Sequence, residues 1–555
     1  MTRLLPLLAL LWAAGACAQP VVAHRHMAAT ASPFATEAAL SALRDGGTAA
    51  DATAAAQMVL AVTEPNASGL GGGSVLMLWD NGRRELSFLE GLSSAPAFLP
   101  EDWSHDNGAD LVALKRSGRL VAVPGTVRTV ALLHGRAGRL PWARLFRDAI
   151  ALAEDGFPMR RYFRSVLLAT PALASLPDFA IYYGPDGRPL PVGGTVRNPA
   201  LAATLRLVAA EGPDGFYGGP VAAAVLGAVD APPHAGAMTA DDLRGYRTVV
   251  RAPVCAGAWG RRVCSAAPPV AGGVALLQEL MLLDRLHLQD TRPGSVEAAH
   301  LLLEAARLAE ADRRAFIGDP DQVRVPTDAL LDGAYMDARA RLVDPGRAMV
   351  RAQPGHPPGQ AALPPSDPAT QPATSHVAVV DDAGNAVSFT TTVNLNFGAL
   401  AAPAGVVLND AVANFARVPA VNGVRVANAA APGKRPVSTM APTIVFAPDG
   451  RPELVVGAGG GARIIDSVAQ TIAGVLAWHM DVRTAIEQGR IGGENRAQEL
   501  ERGTGAAGLA DGLRTMGHDV RVVPMNAGVQ AVAVRPGGTL DGWGDRHRDG
   551  TALGD

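Results

Sequence analysis

The sequence predicts an α+β fold, and three observations point there. Near the N-terminus two helices follow in quick succession and run into a pair of strands. A long middle region, from about Pro141 to Tyr246, carries leucines and alanines at helical spacing, and a further helix is expected over Glu297 to Phe316. After a proline-rich stretch come at least four short strands, the last leading into a glycine loop and another helix.

Each element has a local cause. Ser32-Pro33 sets an N-cap before a proline at the first helical position, and Gly46-Gly47 ends that helix. Thr48-x-x-Asp51 opens the next helix, alanine-rich and running to about Val62. In "GLGGGSVLMLWDNGRRELSFLEG" the Asp80-Asn81-Gly82 turn joins strands Val75 to Trp79 and Glu85 to Leu89. Between Val350 and Ala373 the text "RAQPGHPPGQAALPPSDPATQPA" has no periodicity and little to bury, so it reads as a mobile linker. Strands are then expected at His376 to Val380, Ala386 to Thr392, Thr443 to Phe446 and Glu453 to Val456. The glycines Gly457 to Gly461 and a helix from about Ile464 to Trp478 follow. Strand, glycine loop and helix in that order also describe a phosphate cradle. "GAGGGARII", however, lacks the Lys-Ser/Thr ending of a P-loop and the glycine spacing of a dinucleotide turn.

The bulk numbers narrow the function. A chain of 555 residues that is 48% hydrophobic, with a formal net charge of -3, is a folded globular protein with room for more than one domain. The charge is balanced and no basic stripe appears, so no nucleic-acid partner is expected. Thr2-Arg3 precedes the apolar run Leu4 to Ala14, which is too short to span a bilayer, and Ala16-Cys17-Ala18 offers small residues for cleavage before Gln19. A signal peptide over residues 1–18 is therefore expected, with a periplasmic or secreted product. Lipoprotein processing at Cys17 is the other reading, for which Ala14-Gly15-Ala16 is a poor signal. No later segment reads as a transmembrane helix. Cys255 and Cys264 flank a turn-like Ala256 to Gly260, so they either face one another as a disulfide across a hairpin or remain two unpaired strand cysteines. No metal and no cofactor are expected, because His24, His26 and His376 are not arranged as ligands. His376 reads as structural.

The chemistry is suggested where the linker meets a strand, at "QPATSHVAVVDDAGNAVSFTTTVN". A threonine hydroxyl is a poor nucleophile without a base beside it. Cutting the chain just before Thr374 would supply one, because the new α-amine has a pKa of roughly 7.7–8.0 and sits next to the hydroxyl. Ala373-Thr374 has what such a cut needs: an accessible strand start and preceding residues free to leave.

Several blocks carry a resemblance along nearly the whole chain. They are "DGGTAADATAAAQMVLAVTEPNASGLGGG", "WARLFRDAIALAEDGFPM", "GPDGFYGG", "MTADDLRGY", "ADRRAFIGDPD", "TSHVAVVDDAGNAVSFTTTVN", "GKRPVSTMAPTIV" and "GAGGGARII", in that order. The chain resembles the bacterial γ-glutamyltransferases, or glutathione hydrolases, of the N-terminal nucleophile (Ntn) hydrolase superfamily. The resemblance implies a four-layer αββα fold built jointly by two autocleavage products, a large subunit over 19–373 and a small subunit over 374–555 that stay together as a heterodimer. It makes Thr374 the nucleophile and Thr392 the second threonine near its amine. Asn394 becomes a contact to the acyl donor, and Gly460 and Gly461 become the backbone donors to the oxyanion.

The part that would recognise glutamate departs from the pattern. Where the family has an arginine for the α-carboxylate, in a motif like "LDGRETAP", this chain has "LEGLSSAP", with Leu92 at that place. Ser438 and Thr439 match two serines that serve the same carboxylate. Against "NNQMDDF", which reads the ammonium, stands "NDAVANF", with Ala411 at the glutamine and Asn414 at the aspartate. Losing two charge-assisted contacts weakens a γ-glutamyl donor by roughly 10²–10⁴-fold. Arg83 and Arg84 lie near Leu92 in sequence but have no reason to enter the pocket. The segment between Asn414 and Ser438 is shorter than the loop that lids the site in many relatives, and it lacks that loop's tyrosine. The expected function is an autoprocessed amidase, weak on γ-glutamyl amides. The alternatives are an acylase for glutaryl or other acyl amides, and a periplasmic scaffold with no turnover.

Overall fold

The computed structural model describes residues 20–104, 114–115, 117–232, 234–360, 363–366, 373–493, 495 and 497–555. The predicted signal peptide and Cys17 lie outside the described residues.

Among these residues two seven-stranded antiparallel sheets face each other. The first runs, in spatial order, Val21–Ala23, Leu540–Gly544, Gly528–Val534, Pro452–Gly459, Thr443–Phe446, Arg261–Ser265, Val254–Ala258. The second runs Thr551–Gly554, Met27–Thr30, Ser375–Val380, Ala386–Thr392, Gly73–Asp80, Glu85–Gly91, Val249–Arg251. Strands from before and after residue 374 are neighbours in both. Val377 pairs with Thr30, and Phe389 with Leu76, so ladder hydrogen bonds cross the Ala373–Thr374 junction repeatedly.

Side-chain alternation builds the layers. In the strand Ser375–Val380, Val377 and Val379 join the apolar cluster formed by the helices Pro33–Arg44, Ala49–Thr63 and Thr126–Ala137. Ala378 and Val380 point the other way and share a second cluster with Val455 and Ile444 of the opposite sheet. Trp79 meets Phe446 edge-on across the gap, with ring centroids 5.0 Å apart. On the outer side of the first sheet lie the helices Ala271–Arg285 and Arg463–Leu476, with Val296–Phe316 packed on them. The order is therefore helix, sheet, sheet, helix, the αββα arrangement of the Ntn hydrolases.

Local signals hold in detail. Thr48 and Asp51 form a reciprocal capping box at the start of Ala49–Thr63. Cys255 and Cys264 are cross-strand partners, and the structure joins their sulfurs at 2.08 Å. Arg83 pairs with Asp80, and Arg84 donates to the Asp449 carbonyl, so both stay at the surface.

One expectation needs correcting. Part of the stretch expected to be a mobile linker is pinned down. The Ala352 N–H donates to Asn495 Oδ1 at 2.9 Å, Gly355 N–H to Asp312 Oδ1 at 2.8 Å, and Ser366 N–H to the Arg314 carbonyl at 2.9 Å. Its partners lie mostly on the Val296–Phe316 helix, where no periodicity within the segment would reveal them. Among the described residues no helix is long and apolar enough to cross a membrane.

Candidate active site

Thr374 stands immediately before the strand Ser375–Val380 and is 3% exposed. By alternation Thr374 and His376 face between the sheets, while Ser375 faces the helices. Thr392, at the end of the neighbouring strand, comes beside it. The Thr374 hydroxyl lies 3.2 Å from Thr392 Oγ1 and close against the carbonyl of Ala373. Thr392 Oγ1 in turn donates to that carbonyl at 2.9 Å and accepts the Asn394 N–H at 2.8 Å. A hydroxyl relay thus polarises the bond that Thr374 adjoins.

The other side of this junction is fixed by residues the sequence analysis did not single out. Arg548 Nη1 donates to the Thr374 carbonyl at 2.7 Å, and its guanidinium lies over the Tyr162 ring at 5.0 Å. Ser375 Oγ donates to Glu64 at 2.5 Å, and Glu64 faces Arg548 at 3.8 Å. Burial pushes the Glu64 carboxyl up to about 7, against the pull of Arg548. His376 is buried, with Nδ1 2.9 Å from Thr390 Oγ1. Burial pushes this imidazole down to about 3 and keeps it neutral, which suits a packing role and no proton transfer at neutral pH.

Gly459 ends its strand against the Thr374 carbonyl, where a Cβ would overlap that oxygen. Gly460 and Gly461 follow with φ of 139° and 63°, a turn that favours glycine. Among the described residues neither of their N–H groups donates to a backbone acceptor in the turns and loops.

A cavity beside Thr392 is lined by Leu92, Asn394, Ala411, Asn414, Pro436 and Ser438, among others. The structure therefore brings together most of the head-group positions picked from the sequence. Thr439 is the exception: its hydroxyl donates to the Gly461 carbonyl at 2.9 Å, and it braces the glycine turn instead of lining the cavity. Among the described residues no arginine lines the cavity in place of Leu92. Arg435 and Arg251 both engage the buried Glu90, at 3.2 and 3.4 Å, and Arg435 lines a separate surface cleft. Asn428 joins the two cavity walls, donating to the Asn414 carbonyl at 2.7 Å and accepting the Val437 N–H at 3.2 Å. Lys434 holds the same segment by donating to the carbonyls of Ala427 and Ala429, both at 2.8 Å.

His300, Glu304 and His518 form a buried group outside this site, their ligand atoms within 4.8 Å of one another. The set is already internally bonded. His300 lies 2.8 Å from His518 and 2.7 Å from the Asp344 carbonyl, while Glu304 holds Arg307 at 2.8 Å. A cation placed there would face that guanidinium.

Comparisons with known proteins agree with this architecture. The family profile described as Gamma-glutamyltranspeptidase matches residues 35–555. The chain belongs to the γ-glutamyltranspeptidase family. It is accordingly an enzyme of the Ntn-hydrolase superfamily, related to both glutathione hydrolases and acylases. It is 33% identical over 543 residues to the Glutathione hydrolase proenzyme of Bacillus subtilis (strain 168), covering 95% of this chain and 91% of that one. It is 34% identical over 548 residues to the Acylase ACY 1 proenzyme of Pseudomonas sp. (strain SE83), covering 96% and 94%. The crystal structure of a cephalosporin acylase from Bacillus halodurans superposes with a TM-score of 0.84 at 25% identity, over 97% of each chain.

Proposed function

We propose that the chain cuts itself between Ala373 and Thr374 and then acts as an amidase through an acyl group carried on Thr374. The observation that carries this reading is the Ala373 carbonyl, which accepts a hydrogen bond from Thr392 while the Thr374 hydroxyl lies against it. In the first step Thr374 Oγ1 attacks the Ala373 carbonyl carbon, and the peptide nitrogen of Thr374 leaves as an amine, giving an ester. Water hydrolyses the ester, freeing the Ala373 carboxylate. The Thr374 α-amine, with a pKa of roughly 7.7–8.0, then takes the hydroxyl proton when a substrate amide arrives. Gly460 and Gly461 donate to the oxyanion, the proton passes to the leaving amine, and water releases the acyl group. Fragments 19–373 and 374–555 remain together because strands of both pieces alternate in the two sheets.

The acyl group is read as γ-glutamyl, turned over weakly, since Ser438, Asn394 and Asn414 line the cavity but among the described residues no cation lines it at Leu92. A second reading is favoured by the same wall. Leu92, Ala411 and Pro436 present apolar surface, which suits glutaryl or another acyl group without an amino-acid head.

Purified protein mixed with γ-glutamyl-p-nitroanilide and quenched early should show a γ-glutamyl adduct on the 374–555 fragment by mass spectrometry. Released nitroaniline with no adduct on that fragment contradicts the acyl-threonine route. Faster release from glutaryl-p-nitroanilide or a fatty-acyl anilide assigns the second reading.

A further inference from the structure

The cavity wall that carries Asn394 is backed by a carboxylate. Asp410 is fully buried, and its Oδ1 accepts the Asn394 Nδ2 at 3.1 Å and the Leu395 N–H at 3.0 Å. The same Asn394 Nδ2 also reaches the Asp410 main-chain carbonyl at 3.2 Å. Asp410 Oδ2 is buried and has no partner among the described residues.

This fixes an orientation. Both acceptors address one end of the Asn394 amide, so Nδ2 is committed to Asp410 and Oδ1 is the end left for the cavity. Asn394 is held there from the other side too, with φ of 79° and its N–H on Thr392 Oγ1. The Asp410 main chain links the two walls, donating to the Val393 carbonyl at 3.3 Å and accepting the Ala413 N–H at 3.1 Å, next to Ala411 and Asn414. In the family motif an asparagine occupies this place, and against "NNQMDDF" the chain lacks both acids, at Ala413 and Asn414, and gains one at Asp410.

An oxygen acceptor with a carboxylate behind it favours a cation on the acyl chain, and among the described residues the wall at Leu92 offers a carboxylate no cation in return. Among the described residues the cation that faces Asp410 is Lys115, whose Nζ donates to the Asn396 carbonyl at 3.3 Å; burial pushes the Asp410 carboxyl above its ordinary range, against the pull of the Leu395 N–H, Lys115 and Asn394 toward the charged form.

We propose that Asp410, acting through Asn394, makes this cavity select acyl groups that carry an ammonium and have no need of an α-carboxylate. The inference rests on the amidase reading above. Asp410 is a positioning residue, and the acyl class is one of short ω-amino acids.

Two substrates divide the γ-glutamyl head cleanly. The 4-aminobutanoyl p-nitroanilide keeps the ammonium and lacks the carboxylate, while glutaryl p-nitroanilide does the reverse. The mature wild-type enzyme is expected to have the higher kcat/KM on the first. Asp410→Asn keeps an oxygen for both donors and removes the charge, so the ratio of the two kcat/KM values should fall about tenfold, mainly through KM. Lys115→Met should raise it. A wild-type preference for glutaryl, or a ratio that neither variant moves, overturns the inference and leaves acyl transfer on Thr374 standing. A merely structural role for Asp410 lowers both rates together and leaves the ratio unchanged. Should Asp410→Asn fail to fold, the Lys115→Met ratio decides. A wild-type chain that stays whole and turns over neither substrate is a separate outcome, and overturns the amidase reading with the inference.

Discussion

Around Thr374 the hydrogen bonds close on the protein itself, whereas the wall made by Leu92, Ala411 and Pro436 offers a ligand no side-chain hydrogen bond. Thr392 serves the Ala373 carbonyl, Arg548 serves the Thr374 carbonyl, and Asn394 N–H serves Thr392, all without a substrate present. Polar recognition falls to the rest of the cavity, where Asn394, Asn414 and Ser438 stand. The difference teaches that the two halves of such a site answer to different constraints. Self-cleavage needs only the chain's own geometry, so the head-group wall is free to change while the nucleophile's surroundings stay fixed.

Replacing Thr374 by alanine tests the first half most severely. It removes the attacking oxygen from both steps, so self-cleavage should vanish and amidase turnover should fall by ~10⁴-fold or more, read by denaturing gel and anilide release. Thr392→Val removes the hydroxyl that polarises the Ala373 carbonyl, and self-cleavage should slow by roughly 10²-fold, timed from a freshly refolded precursor. On the recognition side, Leu92→Arg with Asn414→Asp should raise γ-glutamyl kcat/KM by about 10–100-fold without altering the cleavage rate. An unchanged value would mean the cavity is not where the head group sits. The smallest effect concerns His376, which sets the nucleophile strand between the sheets. Its imidazole is held neutral down to about pH 3, whereas exposed in the unfolded chain it protonates near 6.5. Its folded pKa is depressed, so the unfolded state takes up the proton first and stability is lost as pH falls from 6.5 toward 3. The Tm of wild type should drop more steeply over that range than that of His376→Gln.

The legible and illegible parts of the molecule divide along the same line as local and distant contacts. The capping box at Thr48 and Asp51 and the hairpin around Asn81 and Gly82 are written in adjacent residues and formed as read, and strand, glycine turn and helix follow in the expected order, although the strand runs on through Gly459 and only Gly460 and Gly461 turn. The motif blocks also named most of the cavity, because Leu92, Ala411, Asn414 and Ser438 do line one space. Arg548 was not visible, since nothing near it announces a carbonyl 174 residues earlier in the chain. The segment after Val350 looked free because its anchors, Asp312 and Asn495, belong to other elements. Asp410 had a trace in the sequence, an acid within "NDAVANF". Its meaning came from the Asn394 amide beside it, which no spacing rule predicts.

The central claim is that the Ala373–Thr374 bond is broken by the chain's own threonine, and intact mass spectrometry of the purified active protein tests it directly. Two masses are predicted, the smaller matching residues 374–555 with an unblocked threonine at its front, and a single uncut mass for Thr374→Ala. Active wild-type protein that shows one unbroken chain through residue 374 would contradict the account.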